Sequence, residues 1–144
     1  TTYRDYIADP GNLSNIATLP TLTAGSWVYG TFSTWVGDRE KNYAWDLLCA
    51  AKQSFDRVMQ SDRLTTEEKA EARRQLASCE SSDWFWWFGD YNPAHSVASF
   101  DQLYRQNLMN LYRMLKLPIP AEIFESISKG SASNEDNSTM RRSS

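Results

Sequence analysis

The chain has 144 residues, the usual size of one domain, and its 41% apolar and 23% charged residues are those of an ordinary globular protein with little room for a second domain. Its formal net charge is -3, with acidic and basic residues interleaved, which excludes the one-sided basic surface that nucleic-acid binding needs. No apolar run approaches the roughly 20 residues of a membrane helix, so neither nucleic acid nor a membrane is expected as a partner.

Residues 2–8 suit a short helix, which Asp9-Pro10-Gly11-Asn12 ends as a turn. Residues 13–23 read as an irregular connection. Residues 24–37 hold Gly25, Gly30 and Gly37 with Trp27, Tyr29, Phe32 and Trp35 out of helical period, and are expected as an ordered aromatic loop. The first long helix is predicted over 39–60: Asp38 can cap it, and Ala44, Leu48, Ala51, Phe55 and Val58 form one apolar stripe at spacings of four and three.

A second helix is predicted over 66–87. It starts from a Thr65/Glu68 capping box, and its charged first half leaves Ala72, Leu76 and Cys79 facing the core. A third is predicted over 100–116, with Ser99 and Gln102 as its capping box and Tyr104, Leu108, Leu111 and Leu115 inward, until Pro118 and Pro120 forbid continuation. The expected fold is therefore mainly α: a three-helix bundle in a helical domain over 1–127, where 121–127 adds a docked turn. The Ser-rich stretch 128–144 is expected as a disordered tail.

Thr1 stands first and no basic segment with an apolar core opens the chain, so no signal peptide is expected and the chain reads as part of something longer. Cys49 and Cys79 lie on different predicted helices and are expected as buried free thiols, which favours a reducing, cytoplasmic setting. One histidine, His95, and two distant cysteines offer no metal-ligand spacing, and no Gly-rich phosphate loop is present, so neither metal nor cofactor is expected.

The chemistry concentrates in 82–92. Trp84 to Phe88 are five consecutive aromatic residues, flanked by Ser82, Asp83, Asp90 and Asn92. Flat indoles stack on the C–H face of a pyranose while carboxylates and amides bond its rim hydroxyls. The same tryptophans also suit a core between helices, and exposed ones suit a protein interface in a free-standing interaction module. Residue types alone leave these uses open. Trp27 and Trp35 either line the same cleft or plug the end of the bundle. Asp83 and Asp90 are seven residues apart near a helix end, which does not make them a catalytic pair.

Gly25-Ser26-Trp27 through Thr34-Trp35-Val36-Gly37, then Lys41-Asn42 and Ala44-Trp45, resemble glycoside hydrolase family 57. Glu80, Ser82-Asp83-Trp84-Phe85-Trp86-Trp87, Gly89-Asp90 and Phe100 to Arg105, with Leu108 and Tyr112, follow in that family's order, so the resemblance spans 3–120. It implies the helical region that follows a catalytic barrel in a retaining enzyme of starch-like or glycogen-like glucans, of amylase, amylopullulanase or glucanotransferase type. The Glu nucleophile and Asp acid/base would lie on that upstream barrel, leaving no catalytic residue in this chain. The implied substrate-binding residues are Ser82, Asp83 and Trp84, followed by Trp86, Trp87, Asp90, Trp27 and Trp35, facing an α-glucan or malto-oligosaccharide. The sequence departs from the family pattern at Tyr91-Asn92-Pro93-Ala94-His95, so no role for His95 is carried over.

Overall fold

The computed structural model describes residues 1–14 and 16–131, and these form two compact units, 1–31 and the rest from Phe32 onward. In the first unit, α1 (Tyr3–Ala8) starts from Thr2, whose hydroxyl accepts the Asp5 N–H while the Asp5 carboxylate accepts the Thr2 N–H. Asp9 then caps α2 (Pro10–Leu13) through the Gly11 N–H at 2.9 Å. The expected Asp9–Asn12 turn is thus a single helical turn, because Pro at the first helical position carries a preset φ and no N–H to lose. Neither helix buries a residue.

The second unit is mainly helical, and among the described residues it contains no strand. Helix α3 (Arg39–Met59) is capped by Asp38, whose carboxylate accepts the Glu40 N–H at 2.8 Å, and it buries Lys41, Ala44, Leu47, Leu48, Ala51, Phe55 and Val58. The Thr65/Glu68 capping box forms as expected and opens α4 (Thr66–Cys79), which buries Ala72, Leu76 and Cys79.

Contrary to the expected run to residue 87, α4 stops at Cys79 and a separate helix α5 (Asp83–Trp87) follows. Two causes account for the break, one of packing and one local. Continuing the 72, 76, 79 stripe would turn Asp83 inward, whereas the break lets Phe85 and Phe88 be buried instead. In the intervening turn the Ser81 hydroxyl bonds the Asp83 carboxylate at 3.2 Å and accepts the Asp83 N–H, competing with the helix ladder.

Helix α6 (Ala94–Met114) begins six residues before the expected start at 100. Pro93 sits at its N-cap, and Val97, Asp101, Tyr104, Leu108 and Leu111 share its buried face. Ser99 does not cap; its hydroxyl donates to the His95 carbonyl inside the helix at 3.0 Å. The helix ends in a Schellman arrangement. Lys116 is left-handed (φ 55), its N–H bonds the Arg113 carbonyl and the Leu117 N–H bonds the Tyr112 carbonyl.

Helices α3, α4 and α6 pack on one another and α5 lies against α6, which gives the three-helix bundle. Tyr104 is at its centre, fully buried, donating to the Ala44 carbonyl at 2.7 Å and touching Trp84, Phe85 and Phe88. Both cysteines are free; Cys79 is buried as expected, but Cys49 is exposed. No helix of the described residues is long and apolar enough to cross a membrane.

The chain beyond α6 is built into this unit through residue 131. A 3-10 turn (Ala121–Phe124) buries Ile123, and Ile127 and Ser128 are buried after it. Asp101 holds them: its Oδ1 accepts the Ile127 N–H at 2.7 Å and the Ser128 N–H at 3.2 Å, while its Oδ2 is paired with Arg105 at 2.8 Å. Ser131 exchanges backbone bonds with Asn92 and Ala94. Gly130 permits this approach: it has φ +68, and a Cβ there would meet Val97 Cγ2 at 2.8 Å and the Asn92 carbonyl at 2.9 Å. The tail expected from 128 therefore does not start there, since buried polar anchors hold 128–131, and the remainder, 132–144, lies outside the described residues.

Candidate functional site: an aromatic wall around α5

Five consecutive aromatic side chains on a one-turn helix cannot all face the same way, and α5 distributes them. Phe85 goes into the core and stacks on Trp45 of α3 with centroids 3.8 Å apart and rings within 4° of parallel. Phe88 is fully buried against Tyr104. Trp84, Trp86 and Trp87 remain half-buried and form the outer layer.

Trp84 donates its Nε1 proton to the Ser78 carbonyl at 2.9 Å and packs obliquely on Phe100 and Tyr104. Trp87 stacks on Phe100 at 4.7 Å. Each such aromatic pair contributes about 1 kcal/mol beyond its area burial, so part of each indole belongs to the fold. Trp86 faces the other way and meets Trp35 at 5.5 Å with the rings inclined at 56°. Trp35 comes from the loop that precedes α3, and its carbonyl accepts the Trp45 Nε1 proton at 2.9 Å.

Ser82, Asp83 and Asp90 are exposed at the two ends of α5, beside these indoles. Of the eight expected binding residues, seven thus belong to one unit, and Trp35 joins Trp86 directly. Trp27 belongs to the first unit and is 85% exposed. Asn92 is only 3% exposed, and its amide donates to the Trp86 and Trp87 carbonyls at 3.2 and 2.9 Å. Its polar atoms therefore close the C-terminus of α5 and are not offered to a ligand. His95 is exposed in the first turn of α6, next to the Ser96 hydroxyl.

The expected site omits Lys41 and Tyr91, which link its parts. Lys41 is 1% exposed, and its Nζ donates to the Thr34 carbonyl and to the Tyr91 hydroxyl, 4.7 Å from the Tyr91 ring centroid. Burial lowers its pKa to about 8, against the opposing pull of Asp38. The Tyr91 hydroxyl donates in turn to the Trp86 carbonyl at 3.4 Å. Burial, reinforced by the charges of Asp38 and Asp90, pushes this phenol up to about 12, so it stays a neutral donor and acceptor. Gly89, at φ +117, makes room for the Tyr91 ring, which a Cβ there would meet at 2.6 Å.

A half-open groove of about 700 Å³ also lies along the first turns of α3, where Arg39, Glu40, Asn42, Tyr43 and Asp46 surround Ile127. None of the residues expected to bind substrate lines it. No family model, curated protein or solved structure matches the chain.

Proposed function

We propose that this chain is the helical substrate-binding region of an α-glucan-processing glycoside hydrolase of the family 57 kind, in which α5 forms one wall of the glucan cleft and a barrel of the parent enzyme supplies the catalytic carboxylates. The observation that carries the reading is the arrangement on α5: exposed Ser82, Asp83 and Asp90 beside the half-buried indoles of Trp84, Trp86 and Trp87. Flat apolar faces bordered by hydroxyl and carboxylate groups match a pyranose ring and its hydroxyls. The ordered motifs resembling that family, from Gly25-Ser26-Trp27 to Tyr112, support the same reading.

Titration of the chain with maltoheptaose, followed by tryptophan fluorescence, tests it. A saturable change that is lost in Trp86→Ala, with the helical circular dichroism intact, is the expected result. Silence toward every malto-oligosaccharide overturns the sugar wall and favours an interface for a protein partner. Release of reducing ends from amylose by this chain alone would overturn the assignment of catalysis to the barrel.

A further inference from the structure

We propose that Lys41 and Tyr91 act as a lock that holds Trp35 against Trp86, so that the two indoles stand as a preformed platform before any ligand arrives. The functional meaning of the lock rests on the glucan-wall reading; its geometry does not.

The path is short and continuous. Lys41 leaves the buried face of α3 and bonds the Thr34 carbonyl, one residue before Trp35, and the Tyr91 hydroxyl. Tyr91 passes the link to the Trp86 carbonyl. Three side-chain bonds thereby join the backbone beside one indole to the backbone of the other. A second tie runs parallel to it, since Trp45 donates to the Trp35 carbonyl while stacking on Phe85, the neighbour of Trp86.

The choice of lysine is informative. Position 41 lies on the apolar stripe of α3, three residues before the buried Ala44, where a methionine or leucine would bury with no desolvation cost. A long amine from there reaches an acceptor on each of two loops, which no apolar side chain can bond. A neutral amine has two N–H donors, and Lys41 has two acceptors, Thr34 O and Tyr91 Oη, so the lock remains closed when the proton is lost. Fixing Trp35 beforehand removes the entropy that a loop indole would otherwise lose when ligand binds.

Two indoles at this separation and inclination couple their electronic transitions, so the platform has an exciton signature in circular dichroism that exists without ligand. The signature is expected in the wild-type chain and absent from Trp35→Phe and Trp86→Phe, which assigns it. Lys41→Met and Tyr91→Phe should each reduce it by at least about half, with unchanged amide infrared absorption, and should weaken maltoheptaose binding roughly three- to tenfold. Tyr91→Phe removes one oxygen atom and so reads the lock even where Lys41→Met fails to fold. A signature absent from the wild type, or unchanged in both lock variants, overturns the lock whether or not glucan binds. An intact and lock-dependent signature with no glucan binding overturns the functional reading instead and leaves the lock standing.

Discussion

Lys41 makes the stability of this fold rise where many proteins lose theirs. Its amine titrates at about 8 in the folded chain and at 10.5 when unfolded. Between those values the unfolded chain holds the extra proton, so stability increases with pH by about 1.4 kcal/mol per pH unit and is lost again as pH falls through the folded value. Cys79 works in the opposite direction. Burial keeps it a thiol up to about 12, so the stability it contributes is complete below its ordinary value of 9.0 and drains above it. Tyr91 and Tyr104, both raised by burial, add the same sign of loss above 10.0. The sum is a net gain of less than about 1 kcal/mol between pH 8 and 9, a levelling off as Cys79 opposes Lys41, and a steep fall beyond 10 as the tyrosines join it. Urea unfolding followed by helical circular dichroism across this range measures it directly. Lys41→Met should lack the gain while retaining a fall above 9, since Cys79 and Tyr104 keep their burial. Parallel curves for the two chains between about pH 7.5 and 9 would refute the claim that a buried amine is being charged.

Two further perturbations probe the docking of the segment after α6. Asp101→Asn keeps the shape but replaces an ionised group that holds Arg105 and two backbone N–H groups, and should cost about 2–3 kcal/mol. Limited proteolysis should then cut first around residues 121–131, and an unchanged melting temperature would sink the idea. Gly130→Ala forces a Cβ to within 2.8 Å of Val97 and 2.9 Å of Ala94 Cα at φ +68, and should cost about 1–3 kcal/mol. Faster amide exchange at Ala94 and Ser131 is the measurable sign, and native protection at both would contradict it.

What the sequence discloses about this fold follows the range of the interactions involved. The α3 stripe and both N-terminal capping devices, Asp38 and Thr65 with Glu68, are local, and the structure contains them where spacing puts them. The break before α5 is less visible, because a helical period through Leu76, Cys79 and beyond is as good locally as the interrupted path. What decides against it is that Phe85 and Phe88 must meet Trp45 and Tyr104. Ser99 with Gln102 is a genuine capping pattern overruled by tertiary packing, since starting there would leave Val97 outside the buried face. The anchoring of 128–131 is similarly hidden. Ser-rich composition suggests a chain with nothing to bury, whereas Ser128 is held by polar bonds from Asp101, Gly89 and Glu40, each on a different part of the unit.

The candidate site divides along the same line. The run of aromatics and its flanking Ser82, Asp83 and Asp90 stand out in composition alone, and the structure keeps them together on α5. The residue that ties this wall to the preceding loop carries a fainter mark. Extending the α3 stripe backwards from 58, 55, 51, 48 and 44 by the next helical step lands on 41, a lysine in an apolar register. Such a residue announces that acceptors must surround its amine, because burying it unpaired would cost several kcal/mol. It does not name them, and here they come from seven residues before and fifty residues after. A charged residue in a buried register is therefore the sequence feature that points to the platform of Trp35 and Trp86, while the identity of that platform belongs to tertiary structure.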